Sequence, residues 1–247
     1  MLHRFLGNPV PWHGHYYCAW ALAVLVVVQV VLLRLFKPDV SAGLALCVVS
    51  VLSYLIKAHQ NVIVVANVIF LFAWGVRLVL KGVPVARQEC NEPTQVYIVF
   101  SQTAWIWLLS APTVFAVSMN KDDFYDIWPW VGLVMCALAL LADSFETGVV
   151  DGRLCRNPYV FCSLCLSWGL FLTIPFAWTL VFPLAFSCVL IFAPGGAVWV
   201  EAKRRAKVMR DPDVREYQRV TSPFIPMPPG VYAMFPRTFK KLCCLDF

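Results

Sequence analysis

The chain has 247 residues, of which 60% are hydrophobic and only 14% are charged. An average soluble domain carries roughly 25% charged residues, so the composition excludes an ordinary soluble globular protein and is typical of a membrane protein. The net charge of +6 lies mostly in the carboxyl-terminal segment. A basic segment beside a membrane is more often matched to anionic lipid headgroups than to nucleic acid, so we expect membrane lipids and no nucleic acid as partners.

Uncharged apolar runs of the length that crosses a bilayer, about 20 residues, follow one another along the chain. The run 159–200 contains no charged residue and no histidine. It is too long for one span and fits two helices that turn near Pro175, where the missing amide breaks the helix. The sequence therefore predicts an all-α polytopic membrane protein, a bundle of about seven transmembrane helices with an interfacial carboxyl-terminal segment. The predicted spans within residues 1–200 are 17–33, 40–56, 61–80, 96–119, 127–142, 159–175 and 176–200, and a basic, amphipathic, membrane-associated tail occupies 201–247.

Lysine and arginine are distributed unequally between the two sides that seven spans would define. One side carries Arg4, Lys57 and Lys121, and the other carries the remaining 17 of the 20 basic residues. Basic connections stay on the cytosolic or matrix side of a membrane. We therefore expect the amino terminus outside and the carboxyl terminus in the cytosol or matrix, with the mitochondrial inner membrane and the endoplasmic reticulum as alternative locations.

Two motifs suggest metal chemistry at first sight. His13 and His15 have no cysteine or acid beside them, whereas a closed metal site needs about four ligands, so we interpret them as part of an interfacial aromatic belt. Cys162 and Cys165 share a helical face inside an apolar run, where thiols pack as small apolar groups. The sequence therefore predicts no metal site.

The charged residues place any site at the inner face of the membrane. All 14 acidic residues lie outside the predicted spans, so no carboxylate in the bilayer core is available as a general acid or proton relay. Arg77 lies late in the third span and either reaches the headgroups with its guanidinium or has a functional role; both readings stay open.

Acids and arginines converge at the inner face. They could bind an anionic cofactor or a lipid headgroup, or they could form a solvated charged rim. They are Asp143, Glu146, Asp151, Arg153, Arg156, Glu201, Arg204 and Arg205.

Several stretches together resemble a known family. They are "WGVRL" at 74–78, "SQTAWIWLLSAP" at 101–112, "LADS" around Asp143, "GRLCRNPYVF" at 152–161, "GGAVWVE" at 195–201, "EYQRVTSPFIPMPP" at 216–229 and "FPRTFKK" at 235–241. In order and spacing they are similar to the steroid 5-alpha-reductase-like membrane proteins, and in particular to an uncharacterised branch of that family. Isoprenylcysteine carboxyl methyltransferase is a distant relative of the same architecture. The resemblance covers roughly residues 65–247.

The resemblance implies a helical membrane bundle whose inner loops and tail enclose NADPH, from which hydride passes to a conjugated carbon–carbon double bond of a lipid. It assigns cofactor binding to Asp143, Arg153, Arg156 and Tyr217. A tyrosine such as Tyr97 would protonate the product enolate.

The family's signature, Arg-His-Pro-Asn-Tyr-Phe-Gly-Glu, is altered in this chain. It corresponds to residues 156–163, where only Arg156, Pro158 and Phe161 keep the family's residue. Tyr159 and Ser163 replace the asparagine and glutamate that contact the dinucleotide in the family. Each lost hydrogen bond to a charged group costs about 1.5–3 kcal/mol, so cofactor binding is weakened unless something compensates.

We therefore expect a catalytically lapsed relative, which serves as a structural or lipid-binding subunit of a larger membrane assembly. Its partners would be membrane lipids and other membrane protein subunits, for example in a respiratory-type assembly, and a bound phospholipid would replace NADPH. The alternative is an active NADPH-dependent reductase acting on CH–CH groups of a lipid or steroid. Methyl transfer and transport have less support, since transport lacks an intramembrane acid and an inverted repeat.

Overall fold

The computed structural model describes residues 20, 23–25, 27, 28, 31, 32, 38–56, 62–82, 92–117, 127–145, 155–174, 177–192, 197, 198, 201, 202, 217, 219–236 and 238–240. In this part of the chain the regular structure is helical and no strand is formed, apart from an isolated parallel bridge between Cys155 and Ser222. The prediction of an all-α protein is confirmed for these residues.

The helices follow the apolar runs of the sequence. The described residues between 20 and 32 are helical. The elements after them are α1 (Pro38–Ile56), α2 (Val62–Gly82), α3 (Glu92–Val117), α4 (Trp128–Phe145), α5 (Pro158–Leu172), a 3-10 helix (Ala177–Leu180), α6 (Val181–Phe192) and α7 (Pro229–Met234).

Within the predicted segment 176–200, the structure describes a 3-10 helix, the 12-residue α6 and the helical residues 197 and 198. Residues 193–196 lie outside the described part of the chain. Helix α5 ends at Leu172, shortly before Pro175, where the sequence predicts a turn.

By length and apolar composition, one described helical segment is able to cross a membrane: Val62–Leu80 in α2, with 19 residues. Five other described helical segments are apolar and shorter, between 10 and 17 residues. They are Val40–Leu55, Thr103–Ala116, Trp128–Ser144, Pro158–Leu172 and Val181–Phe192.

The chain divides into two compact units. The first unit comprises Met1–Ala137 and Ser167–Phe186, and the second comprises Leu138–Leu166 and Ser187–Phe247. Each unit has a buried core of its own.

In the first unit, two pairs of glycines bring helices into close contact. A Cβ atom added to Gly43 of α1 would lie 2.5 Å from the carbonyl oxygen of Gly75 in α2. A Cβ atom added to Gly132 of α4 would lie 2.5 Å from the carbonyl oxygen of Gly169 in α5. Only a residue without a side chain permits this approach, so the glycines set the spacing of both helix pairs.

The interior of the first unit also holds a polar contact between distant parts of the chain. The Asn67 side-chain amide of α2 donates a 2.6 Å hydrogen bond to the Thr173 hydroxyl, and both side chains are fully buried. The Thr173 hydroxyl donates in turn to the carbonyl of Leu170. Buried polar groups are normally paired in this way, because leaving them unpaired costs free energy.

Candidate functional site

The candidate site lies in the second unit, where the connection before α5 meets Glu201 and the segment 221–224. Helix α5 begins at Pro158, which suits the first helical position because its missing amide would have no partner there. Asn157 precedes it, and the Asn157 carbonyl accepts a 3.1 Å hydrogen bond from the Val160 amide. The residues before the helix are thereby held in a defined turn.

Arg156 forms a buried ion pair with Glu201. The Arg156 guanidinium Nη1 donates to Glu201 Oε1, and the two side chains are only 3% and 4% exposed. Charged groups are rarely buried unless an opposite charge compensates them, because removing an ion from water costs several kcal/mol. The arginine expected to face a phosphate is therefore already neutralised by a carboxylate of the same chain.

Asn157 completes the surroundings of this carboxylate. Its amide Nδ2 lies 3.3 Å from Glu201 Oε2 and 3.2 Å from the carbonyl oxygen of Pro223, and it donates to both. Both oxygens of the Glu201 carboxylate thus accept a hydrogen bond. A carboxylate whose two oxygens already accept hydrogen bonds is less able to move aside when a ligand binds.

The backbone before α5 pairs with the backbone of 222–223. The Arg156 amide donates to the Ser222 carbonyl at 2.8 Å, and the Asn157 amide donates to the Pro223 carbonyl at 3.0 Å. The Cys155 thiol also points at the Pro223 carbonyl, with a 3.6 Å separation. These contacts attach the carboxyl-terminal segment to the entrance of α5; we call Cys155, Arg156, Asn157, Glu201, Ser222 and Pro223 the Arg156 cluster.

An apolar core lies next to the Arg156 cluster. It consists of Val160, Ala197 and Phe224, with Tyr159, Leu164 and Leu190 packed against it. Tyr159, which the sequence resemblance aligns with an asparagine, thus contributes to packing. Ser163, which the resemblance aligns with a glutamate, is fully buried, and its hydroxyl has no hydrogen-bond partner among the described residues. A serine supplies no negative charge there.

The other predicted site residues differ in where they lie. Asp143 is near the end of α4 and is buried, with 1% of its surface exposed, whereas Tyr217 is 36% exposed. Tyr97 lies in α3, but its side chain is outside the described part of the structure, as is the whole of Arg153. The structure places Arg156, one of the predicted cofactor-binding residues, in the cluster described above.

Five of the six cluster residues were not among the residues predicted to bind cofactor: Cys155, Asn157, Glu201, Ser222 and Pro223. Glu201 was expected only as one of the charged residues that converge with Arg156 at the inner face. A signal for Glu201 was present in the sequence. Arg156 and Glu201 are the charged residues that flank the charge-free run 159–200 on either side. If such a run folds back as a helical hairpin, its two flanks meet at one end, and opposite charges there are expected to pair.

Metal-ligating residues are not grouped in the described part of the chain. No set of three or more His, Cys, Asp or Glu residues there is arranged to hold a metal ion. The described cysteines are free thiols, Cys162 and Cys165 among them. His13 and His15 lie outside the described residues.

Comparison of the chain with protein-family models, with curated proteins and with solved structures finds no significant match.

Proposed function

We propose that this chain is a multi-pass membrane protein of the steroid 5-alpha-reductase-like kind that has lost catalysis and works as a structural or lipid-binding subunit of a larger membrane assembly. The observation that carries the proposal is the buried ion pair between Arg156 and Glu201. Arg156 is the residue that the resemblance assigns to a cofactor phosphate. Here its charge stabilises the contact between the entrance of α5 and the carboxyl-terminal segment.

The ion pair disfavours a dinucleotide at this position for an electrostatic reason. A phosphate bound to Arg156 would displace the Glu201 carboxylate or lie beside it. Like charges at close range in a buried environment repel strongly, and the displaced carboxylate would lose its hydrogen bond from Asn157 as well. The replacement of the signature asparagine and glutamate by Tyr159 and Ser163 acts in the same direction.

Exposed apolar helix faces support the membrane part of the proposal. Large apolar side chains recur along one face of each of three helices, at the three- and four-residue spacing of a helical stripe. Contiguous apolar surface of this kind is unusual on soluble monomers and suits lipid tails. The exposed residues are Val48, Val51, Leu52 and Leu55 in α1; Val62, Ile69, Phe72, Val76 and Leu80 in α2; and Trp130, Val131, Val134, Leu138 and Leu141 in α4.

The proposal is tested by titrating NADPH into the full chain in mild detergent and measuring heats of binding. We expect no saturable binding at concentrations up to about 1 mM, which corresponds to a binding free energy weaker than about −4 kcal/mol. Arg156→Gln is the matched variant, because any signal that depends on the predicted phosphate contact must disappear in it. Binding in the low micromolar range would support the active NADPH-dependent reductase instead, and its loss in Arg156→Gln counts as loss of a phosphate contact only when circular dichroism shows that the variant is folded.

The structural role has its own test. Gentle extraction of the native membrane followed by pull-down of the full chain should recover other membrane protein subunits in constant proportion, together with phospholipid. Recovery of the chain only as a free monomer contradicts a role in a larger assembly.

A further inference from the structure

The segment 228–240 presents a small apolar surface beside a fixed cation. Helix α7 buries Tyr232 completely, while Val231 is 46% exposed and Met234 is 86% exposed. Met234 has the highest exposed fraction of any large hydrophobic side chain in the described part of the chain. The helix is thus anchored by its tyrosine, and its methionine projects outward.

Lys240 is held next to this helix. Its ammonium nitrogen lies 4.5 Å from the centre of the Tyr232 ring and 3.4 Å from the Ala233 carbonyl oxygen, to which it donates a hydrogen bond. The rings of Phe235 and Phe239 stack with a 4.4 Å centroid separation in the same segment. A positive charge is therefore positioned close to the carboxyl end of the helix that exposes Met234.

The sequence around this helix is mainly basic. Between Glu216 and Asp246 the chain contains Arg219, Arg237, Lys240 and Lys241, and no acidic residue lies between those two acids. An exposed apolar side chain with a cation fixed beside it is complementary to a negatively charged lipid surface, whose headgroups attract the cation while the apolar group enters the acyl boundary. A protein partner or a second copy of this chain would need an acidic patch as well as an apolar socket.

We propose that Val231, Met234 and Lys240, which we call the tail surface, dock onto a bilayer leaflet that contains anionic phospholipid. Met234 and Val231 enter the boundary between headgroups and acyl chains, and Lys240 binds lipid phosphate. The inference rests on the proposed membrane location of the chain, and it goes further by assigning the residues of the tail that make the contact.

Methionine oxidation provides the test, because Met234 is a natural probe of its own exposure. The full chain is reconstituted in nanodiscs of phosphatidylcholine alone and of phosphatidylcholine with phosphatidylserine. Dilute hydrogen peroxide then transfers one oxygen to the thioether sulfur, releasing water, and mass spectrometry follows the sulfoxide at each methionine. Met227, which is half-buried, serves as the internal control.

We expect Met234 to be oxidised about five-fold more slowly in the anionic nanodiscs, while Met227 is oxidised at the same rate in both. Lys240→Gln should remove the protection, and Lys240→Arg, which keeps the charge and the contact with the Tyr232 ring, should retain it. The arginine variant separates a charge effect from loss of the local fold.

Three outcomes would overturn the inference. Equal oxidation of Met234 in both bilayers excludes docking on anionic lipid. Protection that persists in Lys240→Gln shows that the cation is not involved, and protection that rises with protein concentration in detergent assigns the surface to a second copy. By contrast, a chain that does not integrate into either bilayer contradicts the proposed membrane location itself, so the two failures are distinguishable.

Discussion

At the scale of single residues, the buried pair of Arg156 and Glu201 dominates the candidate site. The two residues are 45 positions apart and meet with almost no solvent contact. A buried ion pair is not in itself a large source of stability, since desolvation offsets most of the attraction. Removing one partner is expected to destabilise the protein, because the remaining charge loses its adjacent counter-charge in a buried environment.

Glu201→Gln is therefore expected to destabilise the protein by about 3–5 kcal/mol, because the Arg156 guanidinium loses its counter-charge in a buried environment. The measurement is the free energy of unfolding in mild detergent, from denaturant titration followed by circular dichroism.

Arg219→Gln is the matched control, since Arg219 is an exposed basic residue of the same unit, and it should change the free energy of unfolding by no more than about 0.5 kcal/mol. Replacing both partners, as in Arg156→Met with Glu201→Leu, should restore much of the lost stability. A Glu201→Gln variant as stable as the parent chain would show that the pair does not hold the cluster together.

At the scale of elements, helix packing in the first unit combines large buried side chains, such as Trp74 and Leu71, with close contacts at glycines. Gly75 lies opposite Gly43, and a Cβ atom on Gly75 would lie 2.7 Å from the Gly43 carbonyl oxygen and 2.9 Å from the Cys47 sulfur. Real Cβ atoms do not approach a backbone oxygen so closely. The two helices would have to separate to accept any side chain.

Gly75→Val is expected to destabilise the packing of α1 against α2, with a loss of about 1–3 kcal/mol typical of overpacking. The free energy of unfolding in detergent measures the effect, and increased proteolysis of the connection between the two helices provides a second readout.

The chain contains a matched control at Gly230, where a Cβ atom would meet nothing within 4 Å. Gly230→Val should therefore leave the stability close to that of the parent chain. Equal losses from both variants would attribute the effect to backbone propensity and not to the helix contact.

The sequence pattern predicted the position of several helices. Apolar runs predicted helices near the observed α1 to α5, because hydropathy along a run and backbone hydrogen bonding within a helix are both local properties. Within the predicted segment 176–200, the structure describes a 3-10 helix and α6, which ends at Phe192.

At the scale of the whole molecule, the distribution of charge predicts how the chain is oriented in a membrane. Only three of its 20 basic residues fall on one side of the predicted spans. Basic connections resist transfer across a bilayer, which sets the orientation of most multi-pass proteins. The proposed arrangement has an odd number of spans and termini on opposite sides.

We expect an epitope tag at the amino terminus to be accessible to antibody from the outer side of the membrane. A tag at the carboxyl terminus should become accessible only after permeabilisation. Fluorescence labelling of doubly tagged chains in intact and permeabilised organelles measures both in the same molecules, and tags that are accessible together before permeabilisation would contradict the odd number of spans.

The sequence by itself determined the helical character of the protein and the composition expected of a membrane chain, because both follow from local patterns of apolar residues. Only the tertiary structure decided the partners of those residues. It placed Glu201 on Arg156, the 222–223 backbone beside the entrance of α5, and Gly75 against Gly43. Such pairings depend on contacts between helix faces that lie tens of residues apart along the chain. The sequence resemblance assigns Arg156 to a cofactor phosphate, whereas only the fold shows that a carboxylate 45 positions away neutralises its charge.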